Sequence, residues 1–497
     1  MNAPTLNVRH IAGAIMILIG LAAGLAFDSF RHLFLFLSPD GQVTDYMWRL
    51  ARICLLSLGP VGVLLLLFRP LLKAAARIDC CLTTGDQRLV IWCGLASAFI
   101  LRALIVMIMP FNLWQDFQCY DELGAQWASD GGYYNGEYLT AYWPPGFPFW
   151  LSRLYLIFGH EPLAGAIANI FLGTATVLLA YLLIRRLWGE RIGRWTLILM
   201  ALFPSQVFFT NVLASEMLFT PLFLGSMLLF VNSSRSHRWW LAVLLGGMVL
   251  GLATLTRTIT TLFLLPVALY WIHETRSWKG ALMRLGLGVV GLAIVIAPWI
   301  VRNHYAVGRA CLSTNTGINL YVGNQPSSGM GYNHHAALDF DLWDPTREAE
   351  IDSVASARAW EYIREKPLAF LGRGVMKVMF FYAVDVDPLD HQMLQPDGGG
   401  HVGGYLALAT VVETFYLAVL LMAALAVPVV LRSRIHRGAP TTLLLLTLVY
   451  WTGVHFVFFA VGRFHFPVVP ILTALAAVFV AYRIDLNLPH ATGSEAE

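Results

Sequence analysis

Residues 88–108 read RLVIWCGLASAFILRALIVMI, and residues 113–150 just beyond them read LWQDFQCYDELGAQWASDGGYYNGEYLTAYWPPGFPFW. The first stretch is an apolar run of the length a helix needs to cross a hydrocarbon layer about 30 Å thick. The second lies in a segment without Lys or Arg, from Arg102 to Arg153, yet it holds Asp116, Asp121, Glu122, Asp130 and Glu137 among many aromatics. An apolar span that opens into an acidic, aromatic loop points to a membrane protein with chemistry at one surface.

The rest of the chain follows that pattern. Of 497 residues, 58% are hydrophobic and 13% charged, about half the charge of a soluble domain. The expected fold is an all-α polytopic membrane protein of about twelve helices. The spans read as 10–27, 50–68, 88–108, 163–184, 194–212, 214–231, 238–256, 258–273, 284–301, 404–430, 439–459 and 465–482. The net charge of +3 points to no nucleic-acid partner; the basic residues mark topology instead. Arg69–Lys73–Arg77, Arg185–Arg186–Arg191–Arg194, Arg235–Arg238, Arg276–Lys279–Arg284 and Arg432–Arg434–Arg437 read as loop clusters on one side. Short loops rich in Lys and Arg stay in the cytoplasm. Both termini then face the cytoplasm, and the first apolar run, which lacks a cleavage site, reads as a retained helix.

This reading divides the chain into an N-terminal two-helix extension (1–87), a membrane core (88–302) with the acidic outer loop 109–162, a long outer segment (303–403), C-terminal spans (404–484) and a disordered tail (485–497). Within the outer segment, 352–366 reads as a surface helix stopping at Pro367, and 369–384 as an interfacial or re-entrant helix. The six cysteines show no CxxC or zinc spacing. Cys119 and Cys311 fall on the same outer side and are read as two free thiols rather than a bridge.

Three constellations carry chemistry. If 113–128 is helical, Asp116, Tyr120, Leu123 and Trp127 share a face. A carboxylate beside a tyrosine suits general-base work on a hydroxyl; the bland reading is a solvated loop acid. Glu216 opens the apolar run LASEMLFTPLFL. An acid there is either a functional group at membrane depth or a harmless acid favoured by a helix N-terminus. Arg257, Arg302 and Arg463 sit at outer ends of spans, against the positive-inside trend. A guanidinium fork suits a phosphate, and snorkelling to headgroups is the alternative. His334–His335, His391 and His401 form no metal spacing, and the chain has no Walker loop, dinucleotide fingerprint or GxSxG.

Together these residues resemble the GT-C membrane glycosyltransferases, in the bacterial branch related to protein mannosyltransferases and lipid A aminoarabinose transferase. The resemblance rests on ordered segments: Asp116-x-x-x-Tyr120 with Gly131–Tyr133 and Thr140–Gly146, then Ser215–Glu216, then Gly251–Arg257. Pro298–Asn303 with Asn315–Asn324, an Ala-rich helix ending at Pro367, and Arg463–Pro467 follow. It covers about 90–482; the N-terminal hairpin departs from the minimal family layout.

The resemblance implies a polyprenyl-phosphate sugar donor, used at the outer face of the bacterial inner membrane, and a hydroxyl acceptor on a glycan, lipid or protein. It implies Asp116 and Glu216 as catalytic acids and Arg257 and Arg463 as phosphate contacts, with Arg302 a third candidate by its place at an outer span end. Tyr120, Asp121, Glu122, Tyr142, Asn319, Tyr321 and Asn324 become candidate sugar or acceptor contacts. Asp121–Glu122 also resembles an acidic pair of the family, so it stays open as an alternative base to Asp116. No cofactor is called for; a divalent metal at the acids is compatible, although no ligand spacing demands one. Two competing classes remain: a transporter or flippase of lipid-linked sugars, and a catalytically silent relative. The discriminating expectation is that Asp116, Glu216 and the outer arginines converge in space.

Overall fold

The computed structural model describes residues 8–26, 45–234, 236–326, 345–394, 402–433 and 438–487. Arg235, His334, His335, His401, Arg434, Arg437 and the tail beyond Asn487 lie outside the described residues. Among the described residues the chain is helical apart from turns and one short antiparallel pair, Tyr134–Asn135 against Tyr138–Leu139.

Among the described residues nine helices are long and apolar enough to cross a membrane: Trp48–Leu66, Gln87–Ile108, Pro162–Trp188, Ser215–Ser233, Trp239–Thr256, Trp278–Val307, Gly404–Arg432, Ala439–Val457 and Gly462–Asn487. The remaining three expected spans take other forms. The first run is a shorter apolar helix, Val8–Gly24. The run 194–212 is not one straight helix: Glu190–Ala201 and Pro204–Asn211 meet at 57°. Pro204 lacks an N–H and turns the preceding residue away from helical geometry, so the first piece ends and a second begins. The run 258–273 divides into a 3-10 turn, Thr258–Leu262, and a helix of 12 residues, Leu264–Thr275. Threonine hydroxyls compete for the backbone there: Thr261 donates to the Thr258 carbonyl at 2.6 Å. The basic stretch after residue 68, read as a loop, is instead the helix Phe68–Thr84. Its Ala, Leu, Lys and Arg content favours a helix.

Apolar side chains such as Leu89, Met107, Ile108, Val301 and Val449 are turned outward, the surface expected of helices that face lipid. The interior is aromatic. Phe223 packs against Trp451 and Phe263 with ring centroids 4.8 Å from each. Where Trp239–Thr256 crosses Trp278–Val307, Gly247 and Gly291 lie directly on the partner's backbone carbonyls. Small residues let membrane helices approach this closely.

Two further pieces cover one end of the bundle. The acidic loop folds into the helices Asp116–Asp130 and Gly146–Phe158. The later segment supplies Thr316–Gly323, Glu348–Glu365, Pro367–Phe381 and Asp387–Met393. The expected surface helix is present and starts earlier, at Glu348; the apolar stretch after Pro367 is a helix of 15 residues. Cys119 and Cys311 are both free thiols.

Candidate active site

Four of the charged groups expected to matter sit together, each brought there by a helix end. Asp116 is the first residue of its helix, where the dipole favours a carboxylate. The residue before it, Gln115, has φ +55°, a region that side chains other than glycine rarely adopt and that costs about 1–3 kcal/mol. Strain is thus held one residue from the acid. Glu216 lies in the first turn of Ser215–Ser233, with its side chain 1% exposed. Arg257 follows the last turn of Trp239–Thr256, and Arg463 lies at the start of the 3-10 turn Gly462–Val468.

The pairing is asymmetric. Arg257 Nη1 lies 2.7 Å from Glu216 Oε1 and also donates to Ser215 Oγ at 3.0 Å. Ser215 in turn donates to Glu216 Oε2 at 3.3 Å. Arg463 donates through Nη2 to Asp116 Oδ2, while its Nε stands 3.9 Å from Glu216 Oε1. Arg463 therefore lies between the two acids. The Phe464 ring lies 5.1 Å from the Arg257 guanidinium and 5.7 Å from that of Arg463, and Phe117 lies 5.2 Å from Arg463. Such faces attract a cation without satisfying its N–H groups. Tyr120 is buried beside this cluster, edge-on to Trp143 and Phe147. Burial pushes its phenol up from the ordinary range, and the nearby Asp116 adds to that.

Residues that carried no signal in the sequence hold Arg463 in place. Its backbone N–H donates to Asp387 Oδ2 at 2.8 Å. Gly462 lies against the Val384 carbonyl so closely that a Cβ would collide with it. Burial pushes the Asp387 carboxyl up, with the Arg463 guanidinium opposing. Two residues past Arg463, the buried His465 points Nδ1 at the Phe381 carbonyl (2.7 Å) and Nε2 at Asp385 Oδ1 (3.1 Å), and its ring stacks on Tyr416 at 4.7 Å. Both ring nitrogens face acceptors, which fixes the ring behind the turn that carries Arg463. Ser205 donates to the other oxygen of Asp385. His391 is wedged between Trp114 (4.5 Å) and Phe117 (4.4 Å). Burial, then Arg463, pushes it down to about 3, so it is a neutral packing element.

The other expected site residues lie apart from this cluster. Arg302 donates to the carbonyls of Thr140 (2.5 Å) and Tyr133 (3.2 Å) and lies over the Trp299 ring at 4.7 Å; it clamps the acidic loop. Asp121 is buried and accepts from Tyr155 Oη at 2.5 Å, with His160 Nε2 at 3.0 Å. It joins the loop's two helices. Glu122 is exposed and accepts from Gln118. Tyr142 and Tyr321 share one buried apolar cluster with Phe459. Asn319 is half-buried on Thr316–Gly323. Asn324 donates to Leu320 and Val457 carbonyls and accepts from Lys377.

Two further acids tie the cover: Glu348 joins its two pieces, and Asp352 braces the later one internally. Glu348 accepts from Thr140 Oγ1 at 2.7 Å and from the Ala141 N–H at 2.6 Å. One turn on, Asp352 accepts from the N–H groups of Gly317 (2.5 Å) and Ile318 (3.3 Å) and pairs with Arg309 at 2.9 Å. Burial pushes both carboxyls up while these bonds oppose it. Among the described residues no three His, Cys, Asp or Glu side chains group as metal ligands, and both candidate acids face guanidinium groups.

Comparison with known proteins bears on what this cluster is. Residues 143–301 match the family model described as dolichyl-phosphate-mannose-protein mannosyltransferase. That match supports the GT-C resemblance. It takes in the Pro-Pro-Gly turn, Glu216 and Arg257, and ends one residue short of Arg302. None of the curated proteins matches the chain. Solved structures similar to it include the archaeal oligosaccharyltransferase AglB from Archaeoglobus fulgidus in complex with an inhibitory peptide and a dolichol-phosphate. That structure has 11% identity and a TM-score of 0.47, with 82% of this chain covering 52% of that one. The apo form of the same oligosaccharyltransferase gives 14%, 0.48, 82% and 51%. ArnT from Cupriavidus metallidurans bound to undecaprenyl phosphate gives 17%, 0.39, 81% and 78%. The chain spans about half the length of the archaeal structures it matches.

Proposed function

We propose that this protein is a membrane glycosyltransferase that moves a sugar from a polyprenyl-phosphate donor to a hydroxyl acceptor at the outer face of the bacterial inner membrane. The observation that carries this reading is the convergence of Asp116, Glu216, Arg257 and Arg463, contributed by four separate parts of the chain. A transporter calls for charges at mid-membrane; here they gather at helix ends under a folded cover.

The chemistry follows from the two ends of the bond being exchanged. A phosphate is already a weak base, so its departure needs positive charge more than an acid; Arg463 and Arg257 supply it. The acceptor hydroxyl is the poor nucleophile and needs a base; Asp116 takes its proton. The acceptor oxygen bonds to the anomeric carbon as the carbon–oxygen bond to phosphate breaks, and the bonding pair leaves with the phosphate. One displacement inverts the anomeric centre. Glu216, sealed beneath and held by Arg257, orients the sugar or acceptor. The clamp made by Arg302, Glu348 and Asp352 keeps the covering pieces together and excludes water, which otherwise hydrolyses the donor. Mass spectrometry of surface glycans and glycolipids tests the reading. A strain lacking the protein should lose a glycosylated species that the wild-type gene restores, and an unchanged profile would count against it.

A further inference from the structure

The donor phosphate, on this reading, arrives at a guanidinium that is already engaged. Arg463 meets Asp116 through Nη2, approaches Glu216 Oε1 at 3.9 Å through Nε, and gives its backbone N–H to Asp387. Both two-nitrogen edges of a guanidinium include Nη2, the nitrogen that Asp116 engages, so a bidentate grip on an incoming anion competes with Asp116. The Glu216 side is sealed: that carboxylate is 1% exposed and shares Ser215 with Arg257. Arg257 keeps that carboxylate paired whatever Arg463 does, and the 3.9 Å approach of Nε is no hydrogen bond that would have to break. Asp116 differs. Its side chain is 30% exposed, against 15% for Arg463, and it begins a helix whose N-terminus supports a carboxylate without a counter-ion. Water and the helix end can therefore take over from the arginine at Asp116, the one acid of the two that Arg463 meets by a hydrogen bond.

We infer that Arg463 is shared in alternation between Asp116 and the donor phosphate, so that binding the donor withdraws the guanidinium from Asp116 and frees the carboxylate to act as a base. The inference rests on the glycosyl-transfer reading for its substrate, and it adds a coupling to that reading. Without donor, Asp116 is masked, and a proton is not drawn from a hydroxyl that has nowhere to go. With donor, the same motion that fixes the leaving group exposes the base. Glu216 and Arg257 stay paired throughout and act as the fixed wall against which Arg463 turns.

The test is a binding cycle on the full-length purified protein in detergent, with undecaprenyl phosphate as probe and undecaprenol, which lacks the phosphate, as control. Asp116→Asn removes the competing anion. It should bind the phosphate lipid about fivefold more tightly than the wild type, the scale of one partly exposed ion pair. Arg463→Gln should weaken binding about tenfold or more, the scale of a charge-assisted hydrogen bond. Undecaprenol binding should not change. The double variant decides the mechanism, because contributions of coupled groups are not additive. In the Arg463→Gln background, Asp116→Asn should bring no gain. Equal or weaker binding by Asp116→Asn overturns the inference. So does a gain that persists without Arg463, which would make it a field effect of removing a negative charge. Arg463→Lys serves where the glutamine variant does not fold; it should show an intermediate loss and a smaller gain. Failure of this cycle leaves the transfer reading standing. Absence of any transfer from polyprenyl-phosphate donors, with the cycle intact, sinks the transfer reading and leaves a phosphate-lipid site.

Discussion

The helix Gly462–Asn487 carries an arginine cluster at each end, and the two are built differently. Near its end, Asp485 and the distant Asp79 take Arg191 between them. Arg191 Nε and Nη2 grip Asp79 at 2.9 and 2.8 Å, and Nη1 and Nη2 grip Asp485 at 3.0 Å each. Trp195 Nε1 fills the remaining side of Asp79 at 2.8 Å. This is a closed fork-to-fork network that ties Phe68–Thr84 to the bundle. At the start of the same helix, Arg463 meets Asp116 through a single nitrogen, stands far from ideal geometry to Glu216, and otherwise lies against aromatic faces. A saturated arginine holds structure, whereas an arginine on one carboxylate oxygen and two π-faces has donors left to give a ligand.

Variants should separate the two clusters. The largest effect belongs to Arg463→Ala: kcat/KM for the donor should fall about 100-fold, the scale of a lost electrostatic contact to a leaving group. The melting temperature should move less than for Arg191→Ala, which should keep transfer per folded molecule. Steady-state kinetics beside thermal melts check both, and equal transfer losses would erase the distinction. Next comes a pH effect beneath the site. Burial, then the neighbouring Asp387, pushes the Asp390 carboxyl up to about 7, above an unfolded value of about 3.9. The folded state binds that proton more tightly, so the contribution is full below about pH 4 and is lost as pH rises through about 7. Asp390→Asn should flatten the pH dependence of the melting temperature across this window. Asp79→Asn should cost about 2 kcal/mol, by weakening one buried charge-assisted network, without changing the donor KM. The smallest effect is Gln115→Gly. Relief of the positive-φ strain should stabilise by up to about 1 kcal/mol, read as a small rise in melting temperature.

Much of this was legible in the chain because hydrophobic length and charge placement are local properties. The spans around 88–108, 163–184, 238–256 and 284–301 needed only apolar run lengths. Glu216, Arg257 and Arg463 stood out because each is a charge at the end of an apolar run, and Asp116 because it shares a helix face with Tyr120 in the acidic loop. The bend at Pro204 and the turn at Thr258–Leu262 were hidden inside apolar stretches, where hydropathy is blind to backbone competition. Arg302 looked like its fellow arginines in sequence, yet its donors go to backbone carbonyls of the acidic loop, which only tertiary structure reveals. Asp387 and Asp385 reach Arg463 and His465 across some 80 positions, and no local pattern marks these two acids. Asp121 and Glu122 were alternatives to Asp116 by resemblance; burial against Tyr155 and His160 sets Asp121 aside from the cluster, and Glu122 points to solvent.

The central claim is that the cluster at Asp116 performs sugar transfer. The most direct measurement is turnover of a polyprenyl-phosphate sugar by purified wild type and Asp116→Asn at matched amounts of folded protein. The expected result is a loss of about 100-fold or more, the scale of a missing general base, with elution and melting unchanged. Near-normal turnover by that variant would contradict it.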